Sequence, residues 1–222
     1  MEEYSNLTII GTSHISIESI KEVSSFINNF KPEIIALELD AKRFMGITQK
    51  RKQKIRDVLS LGLKGYFLNL VGAYIEKKLG EIVGVKPGSE MIEAIELAKK
   101  HSLNIALIDQ DISITLKKLG KIKFKEKIKI VKDILKGVFL KKERVEFDLK
   151  KIPKDEVVEK LIDKVKENYP QVHEILIKER NDVMAKALNK IMNLNKEKRI
   201  LAIIGKGHEK EVIKLIRILD HS

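Results

Sequence analysis

The sequence predicts an α/β fold, a mostly parallel central sheet flanked by helices and interrupted by a helical insertion. Three observations carry this expectation. Four short apolar runs, Leu7–Ile10, Ile34–Leu39, Ile105–Ile108 and Ile200–Ile204, are rich in Ile, Leu or Val, and none alternates cleanly with polar residues. That is the pattern of strands buried on both faces. Helical patterns fill the intervals, and strand–helix alternation favours parallel strands joined by right-handed crossovers. Residues able to do chemistry follow each run at once, at the strand ends where open α/β sheets bind ligands.

Taken in order, the first strand leads into a helix over Ser16–Phe30, with Ser16 as its cap and Pro32 marking its end. After the second strand, residues 43–88 are helical in character but too long for one crossover, and are read as an insertion forming a lid or substrate groove. Inside it, Val58–Ile75 carries Lys64 as its only charge, yet it also contains Gly62, Gly65, Asn69 and Gly72. Its length and flanks favour a buried or groove-lining segment over a membrane span. A helix over Ser89–His101 has Ser89 as cap and Glu90 and Glu93 in its first turn. Beyond the third strand, residues 117–153 form a charged helical segment punctuated by Pro153. Asp155–Asn168 and Gln171–Asn193 are helices separated by Pro170, and the last strand leads to a helix near Lys210–Leu219. With no internal repeat or low-complexity linker, residues 1–222 read as a single domain.

Composition narrows the function. The 222 residues, 43% hydrophobic and 34% charged, suffice for one domain with a sizeable core. Cysteine is absent, so a metal site must be built from His, Asp and Glu. The beginning of the chain shows no secretion signal, and the expected location is cytoplasmic, with peripheral membrane association left open. The net charge of +12 invites a nucleic-acid partner. However, much of the lysine excess falls in residues 117–154 with few aromatics, and no nucleic-acid-binding motif is present. A solvated lysine-rich surface, of the kind heat adaptation favours, is the preferred account.

Gly11-Thr-Ser-His14, Glu38-Leu-Asp40, Asp109-Gln-Asp111 and Gly205-Lys-Gly-His208 follow the four runs. If the strands are parallel, these segments meet on one rim. In each Gly-x-x-His a glycine would let the chain turn sharply and aim the imidazole back over the sheet. Two imidazoles and a carboxylate suit a divalent metal, but each His could instead cap or pack on the next helix. Glu38 ends an apolar strand, where a carboxylate is costly unless paired, coordinated or wet. It is a metal ligand, a general base for water, or a rim partner of Arg43 or a lysine. Asp109 and Asp111 either contact metal or substrate or cap the next helix. In Glu179-Arg180-Asn181, the guanidinium suits a carboxylate or developing oxyanion, and the amide can orient a ligand. The alternative is a surface Glu–Arg pair. Gly205-Lys-Gly-His208 lacks the spacing of a phosphate-binding P-loop.

GTSHIS, PEIIALELD, GSEMIEAIELAKK before IALIDQDI, LIKERNDVMAKAL and IIGKGH occur in this order from Gly11 to His208. Together they closely resemble the TraB/PrgY family, which groups with Tiki and GumN-like proteins. The resemblance implies a site built on His14, His208, Glu38 and Arg180. His14, His208 and Glu38 are expected at the metal, and Glu38, Arg180 and Asn181 in catalysis. Asp109, Asp111, Glu90 and Glu179 are the expected substrate contacts. It further implies Mn²⁺ or Co²⁺, with Zn²⁺ as a third choice, and a metal-dependent hydrolase acting on a peptide or protein. Because TraB and PrgY limit a peptide pheromone, sequestration without cleavage is the rival. Asp109-Gln110-Asp111 departs from the Asp-Arg-Asp of many relatives, which puts that loop's role in doubt. Many relatives continue into a hydrophobic membrane region, and this chain is expected to be the stand-alone soluble domain. The oligomeric state stays open, a homodimer included.

Overall fold

A computed structural model of the protein describes residues 1–13, 17–49, 88–139 and 155–221. Its strands are β1 (Glu2–Tyr4), β2 (Leu7–Thr12), β3 (Ile34–Leu37), β4 (Asn104–Leu107) and β5 (Ile200–Gly205). They form one sheet in the order β1-β2-β5-β3-β4. β2, β5, β3 and β4 run parallel, whereas β1 pairs antiparallel with β2 at one edge. The four apolar runs are thus the four parallel strands. The short edge strand β1, two of whose three residues are glutamates, has no counterpart among the apolar runs.

Alternation along the strands sends their side chains to two cores. Leu7 and Ile9, Ile34 and Ala36, and Ile200, Ala202 and Ile204 face one side. There they meet Met184, Ala185, Leu188 and Met192 of α8 (Glu179–Leu194) and Val212, Ile213 and Ile216 of α9 (Lys206–Asp220). Ile10, Ile35, Leu37, Leu201 and Ile203 face the other side. They pack on Val23 and Ile27 of α1 (Ile17–Phe30) and Met91, Ala94, Ile95 and Ala98 of α3 (Ser89–Lys100). Both faces are covered, which is why the strands read as continuous apolar runs. Truncating one such buried Ile or Leu to Ala costs about 2–5 kcal/mol.

The remaining helices are α2 (Ala41–Thr48), α4 (Ile112–Lys121), α5 (Phe124–Phe139), α6 (Asp155–Asn168) and α7 (Pro170–His173). α7 runs through a π-helical turn, Glu174–Lys178, directly into α8. Three local expectations are corrected. Gly88, not Ser89, caps α3, and Ser89 is its first helical residue. The break between the two helices falls at Tyr169, and Pro170 starts α7 at its first position, where its missing N–H costs nothing. The last helix begins at Lys206, so Lys206-Gly-His208 is helical turn rather than loop. The foreseen insertion opens with α2, but residues 50–87, Val58–Ile75 among them, lie outside the described residues, as do Ser16 and residues 140–154. Among the described residues no helix is long and apolar enough to cross a membrane.

Candidate functional site

The carboxyl edge of the parallel strands gathers side chains from three neighbouring strands. Glu38 lies one residue past β3, and its amide still donates to Ile203 O of β5 at 3.1 Å. The side chain is thereby delivered to the β3–β5 boundary, where it is only 4% exposed. One carboxylate oxygen accepts from Gly205 N at 2.5 Å. The other accepts from Arg180 Nη2 and lies 3.7 Å from His208 Nε2.

Arg180 enters from α8, one residue beyond the site where Glu179 N reaches back five residues to Glu174 O. Such π-turns frequently sit at functional positions. Its Nε and Nη2 donate to the two oxygens of Asp109 at 2.9 and 2.8 Å, a bidentate pair. Nη1 donates to Leu176 O at 3.3 Å and reaches His208 Nε2 at 3.3 Å. Burial works against the guanidinium charge, but the bonds to Asp109 and the charge of Glu38 outweigh it and raise its pKa further. Arg180 can only donate, so His208 Nε2 accepts and the imidazole proton sits on Nδ1. Nδ1 accordingly donates to Asn181 Oδ1 at 2.6 Å. Adjacent residues of one helix thus hold both nitrogens of a single buried imidazole.

Asp109, just past β4, is shared. Besides Arg180 it accepts from Gln110 N at 2.8 Å and from Arg43 Nη2. Arg43 also donates to Asp40 Oδ2 at 2.9 Å and to the main-chain oxygen of Glu38 at 3.2 Å. Asp40 caps α2, accepting from Lys42 N and Arg43 N at 2.8 and 3.1 Å. Three carboxylates and two guanidiniums therefore interlock across the ends of β3 and β4. Buried ions of this kind persist because each is paired.

The structure brings together Glu38, Asp109, Arg180, Asn181 and His208. Asp111 stands outside this network as the cap of α4, accepting from Ser113 N at 2.7 Å and pairing with Lys42 at 3.0 Å. Its bonds to Ser113 and Lys42 hold its carboxyl down to about 2. Glu179 pairs with Lys118 at 2.7 Å, so the Glu179–Arg180 surface pair does not form. Glu90 is buried in the first turn of α3. His14 lies outside the described residues.

The pattern of known proteins that fits this chain is that of the TraB/PrgY/gumN family, over residues 2–221. The chain belongs to that family. It is 40% identical to an uncharacterized protein of Methanocaldococcus jannaschii over 225 residues, 97% of this chain and 54% of that protein. It is 21% identical to TraB domain-containing proteins of Mus musculus and Homo sapiens, over 81% of this chain and 51% of each. The chain spans about half the length of the curated relatives it matches.

In this TraB-family chain the two glycines of the Gly-x-x-His segments do not serve as turn formers. Gly205 has φ −62° and ψ 141°, open to any residue. Gly11 lies within β2 and is needed for close approach, because a Cβ there would sit 2.5 Å from Glu209 Oε2. Glu209, buried to 1% exposure, accepts from Gly11 N at 3.2 Å and pairs with Lys206. It joins the end of β2 to the first turn of α9. Sequence reasoning missed Glu209 and gave Arg43 only as a possible partner of Glu38. An acid beside His208, and an arginine three residues after the Asp40 cap, were the available signals.

A divalent ion is what the family resemblance implies, and His208 and Glu38 are the pair of donors nearest to one another for it. His208 Nε2 carries the lone pair and lies 3.7 Å from Glu38 Oε1, within the span of two metal–ligand bonds of about 2 Å. Among the described residues no three His, Asp or Glu converge as a metal cage. An ion at this point would also displace Arg180 from both donors.

Proposed function

We propose that this TraB-family chain is a metal-dependent hydrolase of peptides, working at the rim built from Glu38, Arg180 and His208. The observation that carries the reading is the 3.7 Å approach of His208 Nε2 to Glu38 Oε1, with a guanidinium beside both. Glu38 and His208, together with His14, are the residues to hold Mn²⁺, Co²⁺ or Zn²⁺. A bound ion of this type acidifies water and polarises a carbonyl. Asn181 fixes the proton on Nδ1, which leaves the lone pair on Nε2, where Arg180 Nη1 now meets it. Glu38 is anchored through Gly205 N, and its other oxygen, held by Arg180, is the one placed to accept a proton from water. Arg180, held by Asp109, which Arg43 also pairs with, supplies a positive charge for the oxyanion that forms as the amide is attacked.

The test is divalent-metal affinity by titration calorimetry for the wild type and for His208→Ala and Glu38→Gln, followed by turnover of a peptide library with manganese and cobalt. Micromolar or tighter binding, lost in both variants, with repeated turnover by the wild type is the expected result. Equal binding by all three proteins would sink the scheme. One observation favours a second reading. Arg180 already closes on both donors, a complete network without an ion. In that reading the rim captures a peptide without cleaving it, and peptide would disappear in proportion to protein rather than to time.

A further inference from the structure

α5 (Phe124–Phe139) separates its charges by face. Between Lys117 and Asp133 the chain has lysines at 117, 118, 121, 123, 125, 127, 129 and 132, and only Glu126 and Asp133 oppose them. Both acids are turned inward. Glu126 accepts from Gln171 N and Val172 N at 3.1 Å, at the start of α7, where a helix favours negative charge. Asp133 accepts from Tyr169 OH at 2.7 Å, and Lys129 lies over the ring of the same tyrosine. These contacts fix which way the helix faces. What points outward is Phe124, 76% exposed, Ile128, 39% exposed, and the exposed Lys125 and Lys132. At spacings of four and eight residues Phe124, Ile128 and Lys132 share one stripe, with Lys125 beside it. Exposed Lys121 and Lys123 lead into it.

We propose that this face of α5 docks on an anionic lipid surface. A helix with lysines flanking exposed aromatic and branched apolar side chains lies in the plane of a bilayer, the apolar groups among the acyl chains and the ammonium groups at anionic headgroups. A second copy of the same face is disfavoured by like charge. Nucleic acid is the weaker match. Residues 112–133 contain no arginine, the side chain that recognises phosphate by a planar fork, and an exposed phenylalanine–isoleucine stripe suits acyl chains. The proposal is independent of any reaction at the rim.

The experiment is sedimentation of the full chain with vesicles of phosphatidylcholine alone and of phosphatidylcholine with phosphatidylserine. Binding is expected to the mixed vesicles only, and to weaken as salt rises from 50 to 500 mM because exposed charges are then screened. Lys125→Glu/Lys132→Glu lowers partitioning by about 25-fold or more, at about fivefold per lysine. Phe124→Ser, at a site too exposed to disturb folding, lowers it by about tenfold. Equal binding to both vesicle types, or no change on Phe124→Ser, overturns the proposal. So does a short DNA or RNA duplex that displaces the protein from mixed vesicles at low micromolar concentration.

Discussion

Asp109→Asn tests the interlocked charges at the rim most directly. The carboxylate is 2% exposed and accepts from Arg180 twice, from Arg43 and from Gln110 N. Asparagine keeps the shape but removes the charge, and one of its two polar atoms then presents N–H groups to a guanidinium. Arg180, 15% exposed, and Arg43, 33% exposed, lose their shared counter-charge at once. Breaking one buried pair costs about 3–5 kcal/mol, much of it the penalty of the charge left behind. For a chain of this size each kcal/mol moves the midpoint of thermal unfolding by at least about 2 °C, so a drop of about 6–10 °C is expected. Circular dichroism melts of the two proteins, with matched urea titrations, measure it. The double variant Asp109→Asn/Arg180→Gln should be less damaged than the two single losses added together, by at least about 1 kcal/mol, because the residues share bonds. A midpoint shift under 2 °C, or strict additivity, would refute the argument that Asp109 holds Arg180 in place.

Three further outcomes follow from the geometry. Gly11→Ala drives a methyl group against Glu209 Oε2 and Lys206 Cδ and should cost about 1–3 kcal/mol, a penalty that urea unfolding should find reduced in a Glu209→Ala background. Asn181→Leu leaves the buried Nδ1–H of His208 without its acceptor, at a cost of about 1–3 kcal/mol. Imidazole ¹⁵N shifts should report the Nδ1–H tautomer in the wild type and lose that preference in the variant. Asp111 has its carboxyl lowered from 3.8 to about 2 by bonds to Ser113 and Lys42. A lowered acid binds its proton less readily folded than unfolded, so its stabilising effect is full above pH 4 and fades as pH falls towards 2. Melts of wild type and Asp111→Asn should therefore differ at pH 5 and converge near pH 2.

What the sequence could reveal depended on whether a residue's neighbours are near in the chain. The parallel strands were legible because burial on both faces leaves Ile200–Ile204 or Ile34–Leu37 no polar position. β1 was not, since Glu2–Tyr4 is short, carries two glutamates in three residues and is recognisable only by its pairing with Leu7–Ile9. The start of α9 was misplaced because Lys206-Gly-His208 carries a glycine that reads as loop. The chain nevertheless turns helical directly from β5, and the helical penalty of one glycine is only about 1 kcal/mol. At the rim, Glu38, Asp109 and His208 each follow a strand closely, and Arg180 bonds to all three. Position in the chain could not rank Arg180, whose spacing is equally that of an exposed helical arginine. Its partners Asp109 and Glu38 lie 71 and 142 residues away, and no local pattern encodes them.

The same contacts set a condition on every functional test of this site. Arg180 neutralises Glu38 and Asp109 in the folded chain and is also the charge expected to meet a developing oxyanion. Removing it leaves two buried carboxylates facing each other, so lost activity in Arg180→Ala would report unfolding as readily as chemistry. Arg180→Lys separates the two more cleanly. It keeps the charge but loses the planar fork that spans both oxygens of Asp109. Asn181 offers a second separation, because its side-chain oxygen touches His208 and none of the arginine network. If catalysis needs an imidazole with Nε2 unprotonated, Asn181→Leu should impair metal affinity more than it lowers the unfolding midpoint. Asp109→Asn should do the reverse. Opposite orderings in these two variants distinguish a site that is merely well packed from one whose packing holds a reactive pair in place.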